Sequence, residues 1–251
     1  MKLAFLSSGS PAAEAARQEL RARHQDHDPA DADVIVALGG DGFMLEALPR
    51  AADLGRPVYG MNRGTVGFLM NSFDPEGLPD RVRAARRQTI HPLCVEARLA
   101  NGEMRRMHAI NEVSVLRQGA QAANLRIAVD GEERLDALAG DGILLATPAG
   151  STAYNYSAFG PILPIGANVL ALTPIAAFRP RRWRGAVLPD RVRLRIDNRD
   201  PVKRPVLVSA DSASVEGAVS VDITLDTTVS HHLLFDPGHG LEERILSEQF
   251  T

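Results

Sequence analysis

The spacing of apolar residues changes near Pro92, and this change limits the folds open to the 251-residue chain. From Leu3 to about Ile90, short apolar runs alternate with stretches of helical spacing. Such alternation is typical of βαβ units and a mainly parallel sheet. Beyond Pro92, apolar and polar residues alternate and hairpin turns recur, as at Asn101-Gly102 and Asp130-Gly131. This second pattern predicts antiparallel strands, and therefore a β-rich domain after an α/β domain.

The same patterns predict where the two domains lie in the chain. We expect an α/β domain over residues 1–92 and a β-rich domain over residues 93–237. Leu241 and Ile245 stand at helical spacing, so we also expect a helix over about residues 238–251 that packs back on the α/β domain. The strands and helices predicted in the first domain are Leu3–Leu6, Pro11–Arg23, Val34–Leu38, Phe43–Leu54 and Pro57–Met61.

Composition excludes several classes of protein. The chain is 45% hydrophobic and 24% charged with a formal net charge of −3, so we expect an ordinary globular protein without a nucleic-acid partner. No apolar stretch approaches the roughly 18 residues of a membrane span. The apolar start of the chain is too short for a secretory signal, so we expect a cytoplasmic protein. The single cysteine, Cys94, excludes internal disulfides and a multi-cysteine zinc site, and we interpret it as a buried small hydrophobe.

Gly39-Gly40-Asp41-Gly42 lies between an apolar run and a stretch of helical spacing. Glycines allow the backbone to approach a bulky anion, and the positive end of the following helix would point at the same place. We interpret the turn as a phosphate site. A carboxylate there would repel phosphate, so its presence indicates a chemical role. Accepting a proton from an attacking hydroxyl is one such role for Asp41. From these four residues alone, an Asp41 that caps the helix is an equally good interpretation.

Three other segments carry polar residues beside predicted strands. Asn111-Glu112 could bind a base edge and a sugar diol, although an exposed strand edge explains the pair as well. Asp141–Thr147 reads as a strand, and Pro148–Ser157 follows as a hydroxyl-rich turn that forms a ligand wall or a helix cap. Asn62–Leu69 is a glycine-containing loop. Neither a dinucleotide fingerprint nor a P-loop occurs, so phosphate chemistry would have to use the Gly39–Gly42 turn.

Two kinds of charged segment are candidate sites. His24–Asp28, and His231-His232 with His239, contain residue types that bind metals, but we interpret both as solvated loops because no second ligand set has a recognisable spacing. Arg179–Arg184 is the one dense basic segment, and an exposed loop or a subunit contact explains it better than a phosphate or nucleic-acid site.

Taken together, these motifs resemble the NAD kinase family in order and spacing. The resemblance spans most of both domains, and the Asn-Glu and Gly-Ser-Thr-Ala-Tyr motifs are the most specific. It implies transfer of the γ-phosphate of a nucleoside triphosphate to the 2′-hydroxyl of the adenosine ribose of NAD. The matching segments are Gly39–Gly42, Asn62–Leu69, Asn111-Glu112, Asp141-Gly142, Thr147–Tyr154, Ser157, Gly160–Ile162 and Leu172–Ile175.

The resemblance also implies roles for individual residues. Asp41 would be the catalytic base, and Gly39, Gly40 and Gly42 would bind the phosphates of the donor. ATP would bring Mg²⁺ or another divalent cation, without a metal site of the protein's own. The residues implied to bind NAD are Asp41, Gly42, Phe68, Asn111, Glu112, Asp141, Thr152, Ala153, Tyr154 and Ser157.

For the fold, the resemblance implies a Rossmann-like N-terminal domain, a β-sandwich-like C-terminal domain, NAD in the cleft, and a homodimer or homotetramer. The chain departs from the family pattern at four places: Phe43, Ala149, Phe159 and Asp211-Ser212-Ala213. Two other functions stay open at this point. One is a lipid kinase with the same glycine turn, which would not need Asn111-Glu112, and the other is a nucleotide sensor without turnover.

Overall fold

The computed structural model describes residues 1–64 and 67–238, and the chain forms two compact units. The first unit comprises Met1–Ile90 and the chain from Val229 onward, and the second comprises His91–Thr228. The helix expected over about residues 238–251 falls almost wholly outside the described residues. Within the described ranges, no helix is long and apolar enough to cross a membrane.

The first unit is an α/β sheet of five strands in the order β1-β2-β3-β17-β4. The first four of these strands pair in parallel, and β4 pairs antiparallel with β17 at the edge. Its elements are β1 (Leu3–Ser7), α1 (Pro11–Arg23), β2 (Val34–Gly39), α2 (Asp41–Asp53), β3 (Val58–Asn62), α3 (Leu78–Ala84), β4 (Arg86–Ile90) and β17 (His231–Phe235).

Helices cover both faces of this sheet. Every residue of β2 is buried, as expected for a strand that is covered on both sides. The helix α1 starts where Ser10 accepts a hydrogen bond from the N–H of Ala13 and Pro11 occupies the first turn, and its Leu20 packs in the same core cluster as Val36. On the other face, Met44 of α2 approaches β3 at Gly60.

The second unit is a sandwich of two antiparallel six-stranded sheets, ordered β12-β11-β10-β7-β14-β15 and β6-β5-β16-β13-β8-β9. Its strands are β5 (Leu93–Leu99), β6 (Met104–Ala109), β7 (Glu112–Arg117), β8 (Ala123–Val129), β9 (Glu132–Gly140), β10 (Gly142–Ala146), β11 (Val169–Ile175), β12 (Ala186–Pro189), β13 (Leu194–Asn198), β14 (Val206–Ala210), β15 (Ala213–Glu216) and β16 (Ala218–Leu225). A 3₁₀ turn over Ala149–Thr152 and the short helix α4 (Tyr154–Ser157) follow β10.

Side chains from both sheets of the sandwich form one buried cluster. Val95 of one sheet and Val115 of the other both belong to it. Alternate residues of each strand point into this core, which is the period-2 pattern seen in the sequence. The predicted fold class, a Rossmann-like α/β domain followed by a β-sandwich-like domain, is therefore confirmed.

The strand β17 lies elsewhere than the sequence suggested. Residues 229–237 fall in the range 93–237 that we assigned to the β-rich domain, yet β17 pairs with β3 and β4 in the first sheet. This strand contains two histidines and three apolar residues, and neither kind of residue indicates which sheet it joins, so the sequence alone carried no signal for its partner.

Asn71 fixes β17 to β3. It is fully buried, and its Nδ2 donates to the carbonyl oxygens of Gly60 at 3.0 Å and Leu234 at 2.9 Å. Its Oδ1 accepts from the N–H of Asp236 at 2.9 Å. One side chain thus links two strands that are far apart in the sequence.

Replacing Asn71 by Ala removes these three buried hydrogen bonds. We expect the free energy of unfolding to fall by about 2 to 4 kcal/mol, since buried polar groups that lose their partners are costly. Urea denaturation followed by circular dichroism measures this change. Asn168→Ala, at an exposed position, is the matched control and should change stability by less than about 0.5 kcal/mol. Equal stability of the two variants would contradict the role given to Asn71.

Candidate active site

Asp41 is the first residue of α2, and its carboxylate binds a neighbouring loop. The N-cap residue is Gly40, and no side-chain cap hydrogen bond is formed at this end of the described helix. Asp41 Oδ2 instead accepts from the N–H of Phe68 at 2.8 Å, and Oδ1 accepts from the N–H of Leu69 at 2.9 Å. The alternative in which Asp41 caps the helix is therefore wrong.

The described residues of the loop after β3 contact the glycine turn and the Asp41 carboxylate. The N–H of Arg63 donates to the carbonyl of Gly39 at 2.6 Å, and Asn62 Oδ1 accepts from the N–H of Gly64 at 2.8 Å. Thr65 and Val66, in the middle of the predicted Asn62–Leu69 loop, lie outside the described residues. The described part of this loop thus supports the turn and holds the Asp41 carboxylate in place.

The three glycines of the turn have different surroundings. A Cβ at position 39 would lie 2.9 Å from Cβ of Phe43 and 3.1 Å from Cβ of Ser8, so Gly39 is required for packing. A Cβ at Gly40 or Gly42 would meet no described atom within 4 Å. The open space at the N-terminus of the 13-residue helix α2 suits an anion, because the first N–H groups of a helix lack partners within it.

In the second unit, Asp211 fixes the position of Asn111-Glu112. Asp211 Oδ2 accepts from the N–H of Ile110 at 2.6 Å, and Oδ1 accepts from the N–H groups of Asn111 at 3.0 Å and Glu112 at 3.3 Å. Asp211 itself has a φ of 48°, in the left-handed region, directly after β14. A carboxylate that binds three consecutive amides holds the start of β7 rigid.

The side chains of Asn111 and Glu112 present buried acceptors. Within the described part of the chain, Asn111 Oδ1 and Glu112 Oε2 are buried atoms without a hydrogen-bond partner. Burial raises the pKa of Glu112 to about 7, with a further contribution from the nearby Asp211 carboxylate, while a hydrogen bond from the N–H of Tyr154 opposes the shift. Unpaired buried polar atoms are costly, so they mark a place where a ligand can donate.

The Pro148–Ser157 segment packs directly on this pair. The N–H of Thr147 donates to the carbonyl of Asn111 at 2.9 Å, and Thr147 Oγ1 donates to the carbonyl of Ile110 at 2.7 Å. A Cβ at Gly150 would lie 2.2 Å from that Asn111 carbonyl, so only glycine allows so close an approach. The two motifs, which are 36 or more positions apart in sequence, form one structural unit.

Hydroxyl groups in this segment have structural partners. Ser151 Oγ donates to the carbonyl of Pro148 at 2.7 Å and accepts from the N–H of Leu163 at 3.0 Å. Asn155 Nδ2 donates to the carbonyl of Ser151 at 3.0 Å, and Asn155 Oδ1 accepts from Thr173 at 2.7 Å. Ser151 therefore stabilises the turn from inside, whereas Thr152 and Ala153 are partly exposed.

Tyr154 lies near the negative charges of both Asp141 and Glu112. Asp141 Oδ1 accepts from Arg117 Nε at 2.5 Å. The pKa of the Tyr154 hydroxyl is raised by burial first and then by the negative charges of Asp141 and Glu112. Within the second unit, Asn111, Glu112 and Tyr154 thus lie together, whereas Asp141 pairs with Arg117 at the other end of β7.

Ser157 lines a cavity of about 460 Å³ that sequence reasoning missed. Phe159, Ala176 and Arg182 also line it and have φ values of 62°, 46° and 67°, all in the left-handed region. Such conformations cluster at ligand sites. Trp183 from the basic segment lines the cavity too and packs against the sandwich core, so this segment is in part structural.

The two histidine-containing segments differ in structure. Asp26, in the His24–Asp28 segment, pairs with Arg21 and accepts from the N–H of Phe5 at 2.9 Å. His231 is buried in β17, which pairs with β4, so the interpretation of His231-His232 as a solvated loop is wrong. His239 lies outside the described residues. Cys94 is buried, as expected.

A glycine turn that suits an anion and buried acceptors that suit a hydrogen-bonding ligand are both features found in nucleotide-binding phosphotransferases. The family models agree with this class. The ATP-NAD kinase N-terminal domain matches residues 2–86, and the ATP-NAD kinase C-terminal domain matches residues 110–231.

Individual proteins give the same assignment. The NAD kinase of Cereibacter sphaeroides (strain ATCC 17029 / ATH 2.4.9) is 55% identical over 250 residues, which cover 100% of this chain and 98% of that protein. The chain belongs to the NAD kinase family, whose enzymes phosphorylate NAD. This assignment decides against a lipid kinase and against a sensor without turnover.

Two solved structures share the fold. Yeast NADH kinase complexed with NADH matches with a TM-score of 0.83 and 21% identity, over 100% of this chain and 87% of that one. An NAD kinase from Archaeoglobus fulgidus in complex with ATP matches with a TM-score of 0.76 and 22% identity, over 99% and 98%. At these identities, the likeness shows the fold alone.

The raised pKa of Glu112 predicts how the stability of the folded protein depends on pH. In the folded protein its pKa is about 7, against an ordinary 4.5, so between these pH values the folded state holds a proton that the unfolded chain has lost. The contribution of Glu112 to stability therefore falls as pH rises through this window. We expect the stability of Glu112→Gln relative to wild type to increase by about 2 to 3 kcal/mol from pH 5 to pH 8.

Urea denaturation at several pH values measures this difference. Glu132→Gln, at an exposed position, is the control and should show a difference that stays flat within about 0.5 kcal/mol. A flat difference for Glu112→Gln as well would mean that Glu112 titrates normally in the folded protein.

Proposed function

We propose that this protein transfers the γ-phosphoryl group of ATP to the 2′-hydroxyl of the adenosine ribose of NAD, giving NADP and ADP. The observation that carries the proposal is the pair of buried acceptors, Asn111 Oδ1 and Glu112 Oε2, which lack partners among the described residues. An adenosine offers matching donors, because its ribose diol has two hydroxyl groups and its base has an exocyclic amine. A carboxylate can accept from both hydroxyls of a ribose.

The donor phosphates are assigned to the first unit. Gly40 and Gly42 leave open space at the start of α2, where backbone N–H groups and the helix dipole favour negative charge. Gly39 supports the same turn by allowing Phe43 to pack closely. Phe43 replaces the threonine usual in the family, so a hydroxyl beside the phosphates is absent at this position of the chain.

Asp41 is proposed as the catalytic base. The ribose 2′-oxygen attacks the γ-phosphorus, its proton passes to the Asp41 carboxylate, and the bond to the β-phosphate oxygen breaks to release ADP. The N–H groups of Phe68 and Leu69 hold the carboxylate at 2.8 and 2.9 Å, which fixes its orientation. Phosphoryl transfer depends mainly on such positioning.

Mg²⁺ is expected to arrive with ATP. Among residues 1–64 and 67–238, no group of three metal-ligating side chains lies at the glycine turn, and Asp41 is the carboxylate there. This donor set fits a magnesium ion held mainly by phosphate oxygens and water, which is how Mg²⁺ usually binds at kinase sites. When bound, the ion neutralises charge on the phosphates.

The remaining proposed NAD contacts are Phe68 in the first unit and Asp141, Thr152, Ala153, Tyr154 and Ser157 in the second. Support comes from the hydrogen bond between the Tyr154 N–H and the Glu112 carboxylate, and from the nearby charge of Asp141. A cytoplasmic location and a homodimeric or homotetrameric assembly, which the sequence led us to expect, stay predictions.

Replacing Asp41 by Asn tests the base. We expect kcat for NADP formation to fall by about 10² to 10⁴, because the amide cannot take up the proton, while the KM values for NAD and ATP change only a few-fold. A chromatographic assay for NADP with ATP and Mg²⁺ measures both. Asp53→Asn, at an exposed position of the same helix, should keep the wild-type rate. Wild-type kcat in Asp41→Asn would exclude Asp41 as the base.

Replacing Glu112 by Gln tests the acceptor site. At pH 8 we expect the KM for NAD to rise by about 10-fold to 100-fold, since a charged acceptor of hydrogen bonds is lost. The KM for ATP should change by less than about two-fold. The control is again Glu132→Gln. An unchanged KM for NAD would show that Glu112 does not hold the ribose, even if the reaction itself is as proposed.

A further inference from the structure

A cysteine, a histidine and an aspartate meet on the outer face of the second sheet of the sandwich. Cys94 on β5 and His108 on β6 are directly opposite each other in the register of the two strands. Asp226 directly follows β16, which pairs with β5 on its other side. The neighbours Leu93 and Val95 point into the core, so Cys94 lies on the opposite face of its strand.

The three side chains are close enough to share one ion. The sulfur of Cys94, a ring nitrogen of His108 and a carboxylate oxygen of Asp226 all lie within 4.8 Å of one another. His108 Nε2 is 3.2 Å from Asp226 Oδ2. Ligands around a tetrahedral Zn²⁺ are roughly 3.3 to 3.8 Å apart, as follows from bond lengths of about 2.0 to 2.3 Å. Small side-chain rotations therefore suffice to complete a three-ligand site.

Asp226 is held so that one of its oxygens faces the cluster. Its Oδ1 accepts from both the N–H of Thr228 at 3.0 Å and the Oγ1 of Thr228 at 2.5 Å. This leaves Oδ2 towards His108. Fixing the far oxygen of a ligating carboxylate is a common way in which proteins orient metal ligands.

Arg106 is the group with which a cation would compete. Its Nε donates to Cys94 Sγ at 3.2 Å, and its Nη2 lies 3.8 Å from Asp226 Oδ2. The Arg106 side chain is 62% exposed, so it can turn into solvent without leaving a buried charge. A cavity of about 200 Å³ lies beside the cluster, lined in part by Glu96 and Asp222.

We propose that Cys94, His108 and Asp226 bind one Zn²⁺ ion, with Arg106 displaced from the cluster on binding. A thiolate and an imidazole favour Zn²⁺ over Mg²⁺, which prefers oxygen ligands. Binding releases the thiol proton and leaves the fourth position for water. This site uses none of the residues assigned to phosphoryl transfer.

Cobalt titration of the full-length protein tests the proposal. Co²⁺ commonly replaces Zn²⁺, and a cobalt–thiolate bond gives an intense charge-transfer band in the near ultraviolet. Because Cys94 is the single cysteine of the chain, this band reports on one site. We expect wild-type protein to develop the band up to one equivalent of Co²⁺ and to lose it when Zn²⁺ is added.

Substitutions distinguish the residues that bind the ion from their neighbours. Cys94→Ser should abolish the band, and His108→Asn should weaken Co²⁺ binding by about tenfold or more. His27→Asn and Asp222→Asn, which change a histidine and an aspartate outside the ligand set, should keep the wild-type titration. Arg106→Gln should tighten binding, because it removes the competing cation.

Each result decides for or against the site. Absence of the band in folded wild-type protein at excess Co²⁺ would show that the cluster is only an ion-pair network. A band that is unchanged in His108→Asn, or weaker binding in Arg106→Gln, would overturn the ligand set or the competition. If Cys94→Ser fails to fold, the His108→Asn and Arg106→Gln titrations still decide.

Discussion

The geometry of the site in the second unit depends on the hydrogen bonds that the Asp211 carboxylate accepts. The carboxylate binds three consecutive N–H groups, those of Ile110, Asn111 and Glu112, at 2.6 to 3.3 Å. Buried charge is tolerated when it is hydrogen-bonded in this way, yet burial still raises the pKa of Asp211. The charge of Asp211 also adds to the effect of burial in raising the pKa of Glu112 to about 7. One buried contact thus positions Glu112 and adds to the effect of burial on its pKa.

The unpaired acceptors of Asn111 and Glu112 favour ligands that carry hydroxyl or amine donors. A ligand without hydroxyl or amine donors would leave both atoms buried and unpaired, and such mismatches are penalised strongly. The Thr147 hydrogen bonds and the close approach of Gly150 keep the adjoining turn against the pair. In the first unit, backbone N–H groups hold the Asp41 carboxylate in the same manner.

Local signals in the sequence predicted most of the fold and the motifs of the site. Ser10 and Pro11 mark the start of α1, and period-2 alternation marks the hairpins. No such signal in the sequence predicted which distant segments come into contact. The partner of β17, the contact of Asp211 with a segment about 100 positions away, and the meeting of Cys94 with Asp226 all depend on strand register, which hydrophobic pattern alone does not fix between distant strands.

Proton release on NAD binding tests the central claim most directly, since it reports on Glu112 and the ligand together. Calorimetry at pH 7 in two buffers with different ionisation enthalpies gives the number of protons released. If the Glu112 carboxylate accepts from the ribose hydroxyls, NAD favours its ionised form, so wild type should release up to about half a proton more than Glu112→Gln. Equal proton release by the two proteins, with NAD bound to both, would contradict the account.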